Sequence, residues 1–291
     1  MIQHIKKVIA VIITYRPDLD LLNKNFLALA AQVEKVILVD NSDDPLQGQQ
    51  IREHFQIYPQ LVYINNDGNQ GIAHALNRGV KYAEQLGADW VLTMDQDSCL
   101  PADYVAILSS VASAQDDSVA SIGTPFLSGE KVFTDSHAGG PVKLLITSGN
   151  LLQIAAVKQI GYFRDDFFID YVDFDLSLRL RKAGFQLIET HETSFQHRLG
   201  EPQKNSFLGK TFSCSNYSPL RIYYMSRNRM VFFRENFFFD PLLVLRCCRD
   251  MMKESIKIVL GEKAKMAKLK AILFGIKDGV VGKMGKYSGT F

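Results

Sequence analysis

Four short apolar runs, each ending in polar residues, constrain this chain more than any other feature: 8–13, 35–40, 61–64 and 90–95. A run with almost no polar alternation suits a parallel strand, because helices cover both faces of a parallel sheet. Between the first two runs, Leu22, Phe26, Leu29 and Ala30 recur at helical spacing, and Asp18 follows Pro17 as an N-cap for a helix over 19–31. A second helix is expected over 72–86, between the third and fourth runs. The order β-α-β-loop-β-α-β predicts an α/β domain with a mostly parallel sheet. Its polar strand ends then share one edge, which is where open sheets of this class bind ligands.

The fourth run, Trp90 to Asp95, ends in Asp95-Gln96-Asp97-Ser98. One intervening residue lets both carboxylates lie on the same side of an extended chain and share a hard cation, Mg²⁺ or Mn²⁺. The bland reading is a strand-end turn with two solvated acids. The second run ends in Asp40-Asn41-Ser42-Asp43-Asp44-Pro45, a polar loop whose first acid either receives a nucleoside or serves the turn. After the third run, Asn66-Asp67-Gly68-Asn69-Gln70-Gly71 is a glycine-punctuated loop opening a helix, whose free N–H groups point at whatever precedes it. It lacks the Gly-Lys-Ser/Thr of a Walker A loop.

Beyond Asp97 the alternation weakens. A helix over 102–114 and a strand over 119–123 are expected, then a strand pair or bent strand over 144–154. Three acids, Asp170, Asp173 and Asp175, fall at the start of a helix carrying Leu176, Leu180 and Ala183. The helix dipole favours acids there, and a partly desolvated carboxylate facing a sugar also suits a general base. A returning strand over 184–188 precedes His197, an imidazole suited to join carboxylates on Mn²⁺. Arg221, Arg227 and Arg229 lie on a helix-like segment and either neutralise a diphosphate or are solvated.

The four cysteines form no Cys-x-x-Cys pair, which fits a reduced, cytoplasmic setting. No apolar stretch reaches the roughly 18 to 20 residues of a bilayer span, so a soluble or peripheral protein is expected. Charge is uneven: residues 241–291 hold 11 Lys+Arg against 4 Asp+Glu, and residues 1–240 hold 22 against 27. In the basic tail, Leu245, Cys248, Met252, Ile256 and Val259 recur at steps of three and four, with Arg249, Lys253 and Lys257 on other faces. A second lysine-rich helix is expected over 263–277. Such helices lie on an anionic bilayer, dock on the body, or form a dimer seam. Nothing in the sequence points to nucleic acid. The expected organisation is a catalytic domain over 1–240 and a helical tail over 241–291.

Taken in order, the Thr14-Tyr15 strand end, Asp40-Asn41-Ser42, the Asn66–Ala73 loop, Met94-Asp95-Gln96-Asp97-Ser98, Phe168-Ile169-Asp170-Tyr171-Val172-Asp173 and His197 resemble glycosyltransferase family 2 of the GT-A fold. The Asp-Gln-Asp and Ile-Asp-Tyr-Val-Asp forms resemble its bacterial rhamnosyltransferases. The resemblance implies a Rossmann-like, mixed and mostly parallel sheet flanked by helices, with the C-terminal amphipathic helices as an extension. It implies a nucleotide-sugar donor, dTDP-L-rhamnose first. Thr14, Tyr15, Asp40 and Asn69 would then line base and ribose, with Asn66, Gly71, Gln96 and Arg227 also on the donor. Asp95 takes the ribose or metal edge, and Asp97 with His197 holds the divalent metal. Asp173 matches the base position, although many members carry Glu-Asp where this chain has Val172-Asp173, which keeps Asp170 and Asp175 in play. The Gln-x-x-Arg-Trp motif of processive synthases is missing. The implied acceptor is a saccharide on polyprenyl diphosphate, in O-antigen or capsule-type synthesis at the inner membrane face. The rivals are a UDP-hexose donor, and a non-catalytic nucleotide-sugar-binding subunit of an assembly complex.

Overall fold

The computed structural model describes residues 7–136, 138–198, 203–207 and 210–291. The chain divides into two compact units, Met1–Asp165 with Asp173–Arg198, and Asp166–Val172 with Leu199–Phe291. The division therefore falls ahead of the expected boundary at 240, and the last helix before that position groups with the tail.

The first unit opens with β1 (Val8–Thr14), α1 (Leu19–Ala30), β2 (Val36–Asp40), α2 (Pro45–Phe55), β3 (Leu61–Asn65), α3 (Ile72–Gln85), β4 (Trp90–Asp95) and α4 (Tyr104–Ala114). The four expected strands are all present. Asp18 caps α1 by accepting the N–H groups of Asp20 and Leu21. The loop after β2 ends in a helix that the sequence pattern did not announce. Asp44 caps α2 with Pro45 in its first turn, but only Gly48, Ile51 and Phe55 of it are buried, too sparse a stripe to register as a period.

The second half of this unit is less regular: β5 (Val119–Gly123), β6 (Phe126–Ser128), β7 (Lys131–Phe133), β8 (Gly140–Val142), β9 (Asn150–Gln153), α5 (Ile154–Gln159), α6 (Val172–Lys182), β10 (Gln186–Glu189) and β11 (Phe195–Gln196). The expected strand pair over 144–154 is one short strand, β9, and residues 144–149 are loop. Gly149 ends that loop at φ 70°, where added bulk would meet Phe195 and the Tyr104 hydroxyl.

Eight strands form one sheet in the order β3-β2-β1-β4-β9-β5-β10-β8, and a small sheet has the order β11-β6-β7. β1 runs parallel to β2 and β4, while β9 lies antiparallel between β4 and β5. The mixed, mostly parallel sheet is the one expected. Its register sets Thr14 beside Asp40 and Ile13 beside Asp95, so the polar strand ends are level along one edge. Beneath that edge Ile12, Phe26, Phe55, Trp90 and Tyr104 belong to one buried cluster. Helix α3 rides so close to β1 that a Cβ on Gly79 would collide with Val11.

The second unit contains the antiparallel pair β12 (Gln203–Phe207) and β13 (Lys210–Cys214), followed by α7 (Pro219–Asn236), α8 (Pro241–Gly261) and α9 (Lys265–Val281). The tail is helical, as expected. α9 packs backbone-close on α7: a Cβ on Gly275 or Gly279 would lie 2.5 Å from the carbonyl oxygens of Tyr223 and Arg227. Within this unit Lys268 pairs with Glu262 at 2.7 Å, both buried, and Tyr223 donates to Asp278 at 2.7 Å. Among the described residues no helix is long and apolar enough to cross a membrane.

Candidate functional site

The acid pair stands where β4 ends. One ligand atom each from Asp95, Asp97 and His197 lies within 4.8 Å of the others, all three residues half-buried. His197 Nε2 is 3.9 Å from Asp95 Oδ2. The histidine arrives from 100 residues down the chain because Cys99 and Gln196 exchange backbone hydrogen bonds at 2.9 and 3.1 Å. The His197 N–H also donates to the Leu127 carbonyl, and Phe126 meets the ring edge-on at 5.3 Å. Burial pushes the His197 pKa below its ordinary value, against the pull of the Asp97 charge. The imidazole is therefore neutral at pH 7 and has a lone pair to offer. Two carboxylate oxygens and one imidazole nitrogen make a donor set that fits Mn²⁺ or Mg²⁺.

A hydroxyl relay behind the cluster was not legible in the sequence. His197 Nδ1 lies 2.8 Å from Ser98 Oγ, Ser98 Oγ is 2.9 Å from Ser148 Oγ, and Ser148 Oγ accepts the Asp95 N–H at 3.2 Å. Ser98 and Ser148 are buried. Asn25 adds a bond from its side-chain amide to the Asp95 carbonyl at 2.7 Å. Strand end, turn and histidine thus hold one another from behind, leaving Nε2 toward the acids.

Beside this cluster, the donor residues named from the sequence form two linked groups. The Tyr15 N–H donates to Gln96 Oε1 at 2.7 Å and Gln96 Nε2 returns a bond to the Tyr15 carbonyl, tying the ends of β1 and β4 together. The Tyr15 hydroxyl donates to Asp43 at 2.9 Å, and its pKa is raised by burial and then by that carboxylate. Asn41 joins the second group: it accepts from Asn66 at 3.1 Å and from the Gln70 N–H at 3.0 Å, and donates to Asn69 at 3.1 Å. Asn69 in turn accepts the Gly71 N–H. Gly68 and Gly71 sit at φ 107° and 92°, which explains the glycines of this loop.

Asp40 is only 1% exposed; it takes the Thr14 hydroxyl, the Ser42 N–H and the Tyr63 hydroxyl. It still contributes to the wall of a cavity of about 470 Å³ that Ser42, Asp43, Gly48, Arg52 and Tyr63 also line. Sequence reasoning missed Asn41, Asp43 and Ser148 as site residues. Asn41 and Asp43 lie within the polar motif that ends β2, whereas no local pattern marks Ser148.

Of the three candidate bases, Asp170 pairs with Arg221 at 3.0 Å. Asp175 is buried and pairs with Arg179 at 2.6 Å and Arg164 at 3.7 Å. Asp173, in the first turn of α6, is half-buried and accepts the Phe174 N–H at 2.9 Å.

The arginines of α7 require a correction. Arg227 is 1% exposed, and its guanidinium donates to the carbonyls of Gly285, Asp166 and Phe167 at 2.5 to 3.0 Å. It also donates to the Asn228 side chain at 3.0 Å. Arg229 is spent on Tyr171 and Glu254, as Arg221 is on Asp170. The Arg227 donors hold the 166–167 backbone, so its guanidinium is neither solvated nor turned outward.

Comparison with known proteins follows the same lines. The model of the family "Glycosyl transferase family 2" matches residues 9–169, more than half of the chain. The dTDP-rhamnosyl transferase RfbF of Shigella flexneri is 25% identical over 95% of this chain and 96% of its own. The galactofuranosyltransferase GlfT1 of Mycolicibacterium smegmatis is 32% identical over 71% of this chain and 76% of its own. Among solved structures, S. aureus TarS 1-349 superposes with TM-score 0.56 at 15% identity, covering 97% of this chain and 93% of that one. The chain spans 44% of the longer S. aureus TarS structure. The mannosyltransferase PcManGT of Pyrobaculum calidifontis, solved with GDP-Man and Mn²⁺, gives 0.59 at 13% identity, covering 98% and 76%. These structural likenesses establish the GT-A fold, and together with the matched model over β1 to the Asp170 region they lead to one conclusion: the chain belongs to glycosyltransferase family 2.

Proposed function

We propose that this glycosyltransferase moves L-rhamnose from dTDP-L-rhamnose, with inversion, to a saccharide carried on polyprenyl diphosphate in O-antigen or capsule-type synthesis. The observation that carries the transfer reading is the convergence of Asp95, Asp97 and His197 at the ligand edge of the sheet. The choice of sugar is supported by similarity to the rhamnosyl transferase over nearly the whole of both chains. A divalent ion held by Asp95, Asp97 and His197 supplies charge neutralisation for the departing nucleoside diphosphate. Thr14, Tyr15, Asp40, Asn66, Asn69, Gly71 and Gln96 bind or shape the nucleoside side of the site. Asp173 takes the proton of the acceptor hydroxyl as that oxygen attacks the anomeric carbon. Asp170 and Asp175 are each engaged by an arginine, Arg221 at 3.0 Å and Arg179 at 2.6 Å. In this reading residues 1–240 perform catalysis and residues 241–291 serve placement, on the inner face of the cytoplasmic membrane.

The test is release of dTDP from dTDP-L-rhamnose by the purified chain with Mn²⁺ or Mg²⁺, with and without a lipid-linked acceptor. Turnover with UDP-hexoses and none with dTDP-L-rhamnose overturns the donor assignment. Donor binding without transfer under all conditions favours the non-catalytic subunit. Asp173→Asn is expected to lower transfer at least about a hundredfold while donor binding persists, and unchanged turnover removes Asp173 from its role. Galactofuranosyl transfer is the second reading, favoured by the 32% identity to GlfT1, and belongs in the same donor panel.

A further inference from the structure

Helices α8 and α9 each turn toward solvent a face rich in apolar and basic residues, with Asp250 at the flank of the α8 face. The buried side of α8 consists of Leu243, Val244, Cys247 and Ile258. Its outward side carries Leu242, Leu245, Met252, Ile256 and Val259, from 48% to 74% exposed. These recur at steps of three, four and seven along the helix, so they form one stripe. Arg246, Arg249 and Lys253 are exposed at interleaved positions and run along one flank of it. On α9, Met266, Leu273, Val280 and Val281 are exposed together with Lys270 and Lys277. At the turn between α7 and α8, Phe238 is 95% exposed.

The placement of charge decides what covers these faces. Residues 241–291 contain four acids: Glu262 and Asp278 are buried, and the side chains of Asp250 and Glu254 are 42% and 43% exposed. Glu254 pairs with Arg229, Glu262 with Lys268, Asp278 takes the Tyr223 hydroxyl, and Asp250 pairs with Arg249 at 3.0 Å and lies 4.0 Å from Lys253. The exposed charge is still mostly positive: Arg246, Arg249, Lys253, Lys270 and Lys277 stand against Asp250 and the Arg229-paired Glu254. An apolar stripe flanked by cations matches a surface with anionic headgroups over an acyl layer, where the basic groups stay at headgroup level and the apolar ones enter. A second copy of the same face would set one mostly cationic flank against another.

We infer that the outward faces of α8 and α9, with Phe238, form a docking surface for an anionic lipid bilayer, on which the chain lies without spanning it. This deepens the reading of a lipid-borne acceptor and partly rests on it, but its test needs no transfer.

The full chain is mixed with vesicles of phosphatidylcholine alone or with roughly one-third phosphatidylglycerol, and the bound fraction is read by co-sedimentation. Binding is expected to the anionic vesicles and to weaken as salt is raised from about 0.1 to 0.5 M. The variant R246E/R249E/K253E is expected to bind about a hundredfold more weakly, at about a factor of five for each basic group lost from the surface. L245S/M252S/I256S should bind weakly even at low salt. Both variants replace exposed groups, so their melting curves are expected to match that of the wild type, and are recorded alongside. Absence of wild-type binding to anionic vesicles overturns the inference. So does a concentration-dependent dimer that the serine variant abolishes, which assigns the face to a second copy. Transfer to a soluble saccharide acceptor should be the same for wild type and both variants. Vesicle binding with no transfer at all would sink the enzymatic reading and leave the surface standing.

Discussion

Replacing Ser98 with alanine tests whether the metal cluster is held by its own scaffold. An ion on His197 Nε2 requires that nitrogen to be bare, so the ring proton sits on Nδ1 and donates to Ser98 Oγ at 2.8 Å. Ser98 then donates onward to Ser148 at 2.9 Å. In Ser98→Ala the Nδ1–H points at a methyl group inside a site where the His197 side chain is 12% exposed. The ring gains by turning away or by moving its proton to Nε2, and either change competes with the ion. Loss of such a supporting bond typically weakens metal affinity about 10- to 100-fold, or about 1.4 to 2.7 kcal/mol. Titrating the purified variant with Mn²⁺ and following free ion by electron paramagnetic resonance reads this directly. The melting temperature should fall by only about 2 to 4 °C, as for a loss of about 1 kcal/mol. Wild-type affinity in the variant refutes the relay. Failure of the wild-type chain to bind Mn²⁺ refutes the cluster itself.

Other perturbations separate structural from functional roles. Arg227→Met should destabilise the chain by about 3 kcal/mol, since three backbone carbonyls lose a charged donor, while donor affinity of the folded protein is kept. Calorimetry that finds unchanged stability together with lost donor binding would restore the phosphate role. Gly279→Ala should cost about 1 to 3 kcal/mol in urea unfolding, because the added methyl lies 2.5 Å from the Arg227 carbonyl and α9 must shift; a neutral result contradicts the close helix pair. The Tyr162 hydroxyl, donating to Glu84 at 2.6 Å, has its pKa raised to about 12 by burial and by that carboxylate. An unfolded tyrosine loses its proton near 10, so this stabilisation is present below about pH 10 and lost as pH rises toward 12. Tyr162→Phe should flatten that part of the stability profile, and a profile identical to wild type removes Tyr162 from it.

Much of the fold is written locally. Unbroken apolar runs such as 8–13 suit strands buried on both faces, and Asp18 with the spacing of Leu22, Phe26 and Leu29 specifies α1 within a dozen residues. The same holds for the acid pair at the end of β4 and for the glycines that set the 66–71 loop, because strand ends and positive φ are properties of adjacent residues. α2 has no legible period because only two of its side chains, Ile51 and Phe55, meet the core.

Tertiary structure decided what depends on distant partners. His197 is an unremarkable residue until the Cys99–Gln196 bridge brings it to Asp95, and Ser148 acquires a role only where its loop passes behind that strand end. Arg227 has the chemistry of a phosphate ligand, yet three carbonyls and near-complete burial consume it. For the tail, sequence periodicity identified an amphipathic helix but left its apolar stripe free to face a body, a partner or a bilayer. The fold spends Leu243, Val244, Cys247 and Ile258 on packing and turns Leu245, Met252 and Ile256 outward. A helix period states that an apolar face exists; which arc of it finds neighbours is settled only when the other elements take their places.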